Sequence, residues 1–345
     1  MPRWRIPLAH VTRGLLAIAV FLVAEGCASV EYTSLGKVMT GYTQHDAIPY
    51  LQSTDDPRLS CGAALGLDQL LASFQTVMAR PRYDLMYTEM LTATCSERRA
   101  YRQDLRVLRA VRDHHIATAQ DARIAEARDE VVTARRQYRA WQDLVAHYGP
   151  PGKQCPRLMG NANQLAYLMG LATGLQAILN DARSGERVGV PRDIALKVAH
   201  ASRCLSNRQW WGVPGALRAS VWTILPGAAP PGTDPWKEFQ TSSALAERSG
   251  VRLAMAIDAI AAQNQGKSTL ERAAIAQFAR AGRRHPAPRA YRLIDRLAAF
   301  EVRHLSDRIW TQETGARTPA GALGTFPGTP AEGPPLKGLL HGLNR

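Results

Sequence analysis

The chain has 345 residues, 46% of them hydrophobic, enough to bury one large core or two moderate ones. Its net charge of +14, carried by 43 basic residues of which six are lysine, favours anionic partners. Five cysteines with no C-x-x-C spacing give no support to a zinc ribbon or a thioredoxin-type redox site.

Residues 1–13 carry Arg3, Arg5 and Arg13 and no acid, and residues 14–24, GLLAIAVFLVA, are uninterrupted apolar or small. A positive start, a short apolar run and a small-residue zone are the parts of a secretory signal peptide. The run is too short for the roughly 20 residues of a bilayer span. The GCAS around Cys27 resembles the lipobox of bacterial lipoproteins, with Ala24 where leucine is commonest and Glu25 at a position normally small or apolar. The resemblance implies cleavage before Cys27, a signal peptide over 1–26 and acylation of the Cys27 thiol. Ordinary cleavage after Gly26 or Ala28 is the alternative reading of the same residues. Either way the chain is exported, which removes nucleic acid and nucleotide as partners. Ala28 follows the cysteine where aspartate would signal inner-membrane retention, so the resemblance implies the periplasmic face of the outer membrane.

With Cys27 set aside, Cys61, Cys95, Cys155 and Cys204 remain, an even number for an oxidising compartment. Three pairings are open. Cys61–Cys95 with Cys155–Cys204 is preferred, because each pair then joins neighbouring helices within one half of the chain.

Residues 27–55 show no clear period and read as a tether or packed N-terminal arm. Leu67, Leu70, Leu71, Phe74 and Met78 predict a helix over 60–79. Pro81 restarts the chain, and no glycine or proline follows until Gly149, so 56–148 reads as a long-helix hairpin region. Residues 117–136 are poor in large apolar side chains and are expected to protrude. YGPPGKQCP at 148–156 is the internal boundary. Beyond it, a multi-helix domain over 152–310 is expected, with helices near 161–182, 191–206, 213–223, 235–263, 267–283 and 287–310. Residues 311–345, rich in proline and glycine, read as a disordered tail. The fold class is all-α: long helices and helical hairpins in a bundle or irregular solenoid.

Ala261, Gly266, Lys267 and Ser268 match a permissive phosphate-loop pattern. Leu253, Ile257 and Ile260 before it have helical spacing where a strand is required, so an interhelix turn with Ser268 or Thr269 capping the next helix is expected. His114 and His115 point about 100° apart on a helix and do not chelate. No metal site, cofactor or catalytic residue is assigned. Glu97, Asp104 and Glu238 are acids that a cell-wall lyase would need, and they read as solvated helix residues. Two surfaces stand out for a ligand or partner. Trp210 and Trp211 beside Arg208 form the densest aromatic cluster, and Arg98, Arg102, Arg106, Arg109 and Arg112 form a stripe at helical spacing.

These readings predict an exported, lipid-anchored, non-catalytic scaffold of the bacterial envelope, held to the membrane by its anchor and engaging an envelope protein. A small-ligand-binding lipoprotein with a tryptophan-lined groove is the first alternative. A peptidoglycan-acting enzyme is the second.

Overall fold

The computed structural model describes residues 30–152, 154–225 and 227–328, and every regular element among them is a helix. Cys27, the segment 1–26 and residues 329–345 of the expected tail lie outside the described residues.

The first helix, α1, covers residues 30–52 and is α-helical except for a π turn at Thr43–Ala47. Its buried side is small and polar at Gly36, Thr40 and Thr43 and becomes apolar only in its last turns, at Ile48 and Leu51, so no apolar period runs along its length. Helix α2, Pro57–Ser73, starts where the Asp56 carboxylate accepts from the backbone N–H groups of Arg58 and Leu59, with Pro57 pre-set in the first turn. Helices α3, Arg82–Arg112, and α4, Ile116–Tyr148, form a long antiparallel hairpin. The stretch without glycine or proline thus holds two long helices. His114 supplies the reversal at φ 59°, a left-handed conformation taken here by a non-glycine residue.

Helix α5, Gly160–Ser184, packs on α4, and Gly170 and Gly174 set that approach. A Cβ at either position would overlap Leu144 or Trp141 of α4. The rest of the chain folds as α6, Ile194–Ala201; α7, Val213–Ile224; α8, Pro235–Ser249; α9, Leu253–Asn264; α10, Ser268–Arg284; and α11, Arg292–Thr314. The single helix expected over 235–263 is two, divided at Gly250, whose φ of 76° ends α8. The phosphate-loop look-alike is the turn between α9 and α10, and its preceding element is the helix α9. Neither Ser268 nor Thr269 caps α10 through its side chain, since Lys267 occupies the cap position.

One apolar core runs from Ile48 to Phe326. A buried ion pair ties its second half together. The Arg252 guanidinium donates to both Asp295 carboxylate oxygens at 2.8 and 2.6 Å, donates to the Phe278 carbonyl and lies 4.0 Å from the Phe278 ring centre. This fixes α9, α10 and α11 to one another.

Two cysteine pairs sit at disulfide distance, Cys61 with Cys95 between α2 and α3, and Cys155 with Cys204, with Cα separations of 5.6 and 5.4 Å. This is the preferred pairing. Two expectations fail. Residues 117–136 do not protrude: α4 lies along α3, with Ala119, Ala122, Glu126, Glu130 and Thr133 buried between them. The stretch 315–328 is docked, with Phe326 buried under the Arg272 guanidinium, and the Trp310 indole N–H donating to the Thr325 carbonyl at 3.0 Å.

Candidate functional site

Helix α3 presents Thr94, Arg98, Tyr101, Arg102 and Leu105 on one side, a run of three- and four-residue steps that puts all five on one face. Helix α11 answers with Arg296, Ala299, Phe300, Arg303, His304 and Asp307 at the same spacing. The start of α2 adds Asp56 and Arg58, and the docked tail adds Arg317. Between them lies a cleft of about 500 Å³.

Its floor is aromatic. The Tyr101 ring stacks on the His304 imidazole at 3.6 Å with an interplanar angle of 4°, and on Phe300 at 5.3 Å. Its walls are cationic: Arg58, Arg98, Arg102, Arg296, Arg303 and Arg317. Among the described residues none of these six is ion-paired; nearby ion pairs belong to Arg99, Arg106 and Arg308. The two acids in the wall are already engaged. Asp56 caps α2, and Asp307 accepts from the Thr318 backbone N–H at 3.1 Å. Burial, and then the guanidinium groups of Arg58 and Arg102, push the Arg98 pKa down, with Asp56 opposing them in part.

The expected arginine stripe is thus divided. Arg98 and Arg102 reach the cleft, whereas Arg106 pairs with Asp121 at 3.6 Å, Arg109 donates to the Gly315 carbonyl at 2.9 Å and Arg112 pairs with Asp113 at 3.0 Å. The tryptophan groove is corrected outright. Trp210 and Trp211 are 1% and 6% exposed; Trp210 donates to Gln164 at 3.0 Å, and Trp211 packs edge-on against Tyr291 at 4.6 Å. Arg208 is exposed while both rings face inward, so the three do not form one surface.

Beneath the cleft lies a buried polar network that a reading of α3 and α4 as solvated helices misses. The Tyr101 hydroxyl donates to Glu301 at 2.6 Å, and Glu301 is hydrogen-bonded to Glu97. The Asn180 amide donates to Glu97 at 3.1 Å and to Gln137 at 2.9 Å. Burial raises the pKa of both Glu97 and Glu301. Burial also lifts Glu126 to about 7 and Glu130 to about 8. Asp104 goes the other way, to about 2: burial pushes it up, but bonds from His304 and Arg308 outweigh that. His304 is itself pushed down, by burial first, and is neutral at pH 7. Two of the acids singled out as solvated, Glu97 and Asp104, are therefore interior. The legible signal was the run Glu126, Glu130, Thr133, Gln137, a polar stripe at helical spacing facing Glu97 and Asp104.

No three His, Cys, Asp or Glu side chains among the described residues converge as metal ligands, and no described helix is long and apolar enough to cross a membrane. No protein-family model, curated protein or solved structure matches the chain.

Proposed function

We propose that the protein is an exported, lipid-anchored, non-catalytic component of the bacterial envelope that docks an acidic segment of an envelope protein in the arginine cleft. One observation carries the reading: six guanidinium groups without ionic partners surround a single cleft whose two acids are already engaged. Guanidinium is weakly hydrated and binds carboxylates through two parallel hydrogen bonds, so a row of Asp or Glu side chains is its natural complement. The aromatic floor supplies apolar contact for the rest of the segment.

The envelope address is supported by the lipobox-like GCAS at Cys27, by two cysteine pairs at disulfide distance, and by the character of the N-terminal hairpin. Nine of the sixteen exposed large apolar side chains among the described residues fall between Val30 and Leu70. Leu35, Val38 and Tyr42 line one side of α1, beginning a few residues after Cys27, where an acyl anchor would hold them at a lipid surface.

Titration of a fluorescent hexaglutamate peptide tests the cleft. Wild type binds saturably, and the Arg98→Glu/Arg102→Glu variant binds at least tenfold more weakly. Equal binding by the two proteins sinks the proposal.

A peptidoglycan-acting enzyme is the second reading, favoured by the Glu97–Glu301 pair, whose pKa values burial raises. Those carboxyls touch, whereas the acid and its partner in glycosidases stand about 5–9 Å apart. Turnover of purified cell wall, lost in Glu97→Gln, would establish this reading in place of the first.

A further inference from the structure

A second site lies inside the core, next to the cleft and sharing Thr94 with it. Helices α3, α5, α7, α9 and α11 surround a chamber of about 100 Å³. Its apolar wall includes Met90 from α3, Met169 from α5, Leu217 from α7, Ile257 and Ile260 from α9, and Leu297 from α11. Met90, Ile257, Ile260 and Leu297 pack against the core yet keep partial exposure. A smaller void of about 20 Å³ shares Met90, Met169 and Leu297 with the chamber and reaches Ile48 and Leu51 of α1. Protein interiors hold few voids larger than a water molecule, and wall atoms facing a void forfeit dispersion contacts. An apolar cavity of about 150 Å³ stays dry and takes up benzene, so this chamber is of a size to hold one ring or a short chain.

The wall is apolar except at a few points, and the charged ones are Glu97 and Glu301. These two are held from behind by Asn180 and Tyr101. The carboxyl lone pairs that Asn180 and Tyr101 leave free can accept from a ligand. The chamber wall holds these two acids and no basic side chain, so it offers no site for an anion.

We propose that this chamber binds a small neutral molecule, an aromatic ring or short alkyl chain carrying one hydroxyl, whose O–H donates to the Glu97–Glu301 pair. An anion of the same shape meets the carboxylates and is refused. A plain hydrocarbon fills the space and loses the hydrogen bond.

The test uses the full chain with 13C-labelled methionine methyl groups, titrated with phenol, benzene and benzoate. Phenol shifts the Met90 and Met169 methyl signals saturably and leaves those of Met78 and Met159 in place. Benzene shifts the same two signals with an affinity about tenfold lower, the equivalent of one hydrogen bond. Benzoate leaves both unmoved. Ile257→Trp fills the chamber and abolishes the phenol shift; Arg98→Glu, in the cleft, leaves it unchanged. The proposal is overturned if phenol produces no saturable shift at Met90 and Met169, or if benzoate shifts them as strongly as phenol. It is equally overturned if Ile257→Trp, folded by far-UV circular dichroism, responds as wild type does. The methionine signals of the unsubstituted protein decide the matter even where that variant does not fold.

Discussion

Glu130 offers the sharpest perturbation of the buried network. It is 1% exposed, and its Oε2 meets no hydrogen-bond donor among the described residues. Burial is the main cause that lifts its pKa from 4.5 to about 8; Arg183 opposes it and Glu97, Glu126 and Asp104 add to it. A carboxyl whose pKa rises on folding contributes stability below its unfolded value and loses it as pH climbs towards the folded one. Each unit corresponds to about 1.4 kcal/mol, so this group alone removes roughly 3 kcal/mol between pH 4.5 and 7. Glu130→Gln has no proton to lose there. Urea unfolding followed by circular dichroism at pH 4.5, 5.5, 7 and 8 measures the difference. The variant should match wild type at pH 4.5 and exceed it by about 3 kcal/mol at pH 7, the gap widening by about 1.4 kcal/mol per pH unit. A difference that does not change with pH would refute the reasoning, because it would mean that Glu130 is ionised in the fold at no cost.

Three further outcomes follow from other parts of the fold. Replacing Cys61 and Cys95 together by alanine opens a loop with a sequence separation of 34 and should cost about 3.8 kcal/mol in oxidised protein, while the pair Cys155 and Cys204, separated by 49, should cost about 4.1 kcal/mol; urea midpoints that do not move would show the thiols unpaired. Gly174→Ala forces a methyl into the Trp141 ring and should destabilise by about 1–3 kcal/mol, seen as a lower melting temperature. Intact mass of membrane-extracted protein should report a chain starting at Cys27 with acyl chains attached; an unlipidated chain starting at Ser29 removes the anchor.

Much of the fold was legible because its helix ends use local chemistry. Asp234 caps α8 through the Trp236 backbone N–H, and α5 ends on Gly185 at a φ of 82°. The failures have physical causes too. His114 turns the chain without a glycine, so composition gives no warning of the break between α3 and α4. Gly250 stands inside a continuous apolar period that bridges two helices. The helix α1 hides because small and polar residues, Gly36, Thr40 and Thr43, face its neighbours over most of its length, with Ile48 and Leu51 joining the core only at its end. The cleft was half legible: Arg98 and Arg102 lie in a visible stripe, but Arg58, 40 residues before Arg98, and Arg296, Arg303 and Arg317, some 200 residues after it, join them only through tertiary packing. Arg106, Arg109 and Arg112 share the stripe's period and go instead to Asp121, Gly315 and Asp113, a sorting that depends on which helix lies alongside. The tryptophans misled because paired aromatic rings beside an arginine look the same in sequence whether they line a groove or fill a core.

The cleft's unpaired charge is the centre of the account, and the salt dependence of hexaglutamate binding tests it most directly. With the six arginines engaged by carboxylates, affinity should fall steeply as ionic strength rises from about 0.05 to 0.2 M, and Arg98→Glu/Arg303→Glu, which brings the four remaining arginines level with four acids, should flatten that dependence and abolish the preference for hexaglutamate over hexalysine. Salt-independent binding, or a neutralised cleft that prefers the acidic peptide as strongly as wild type does, would contradict it.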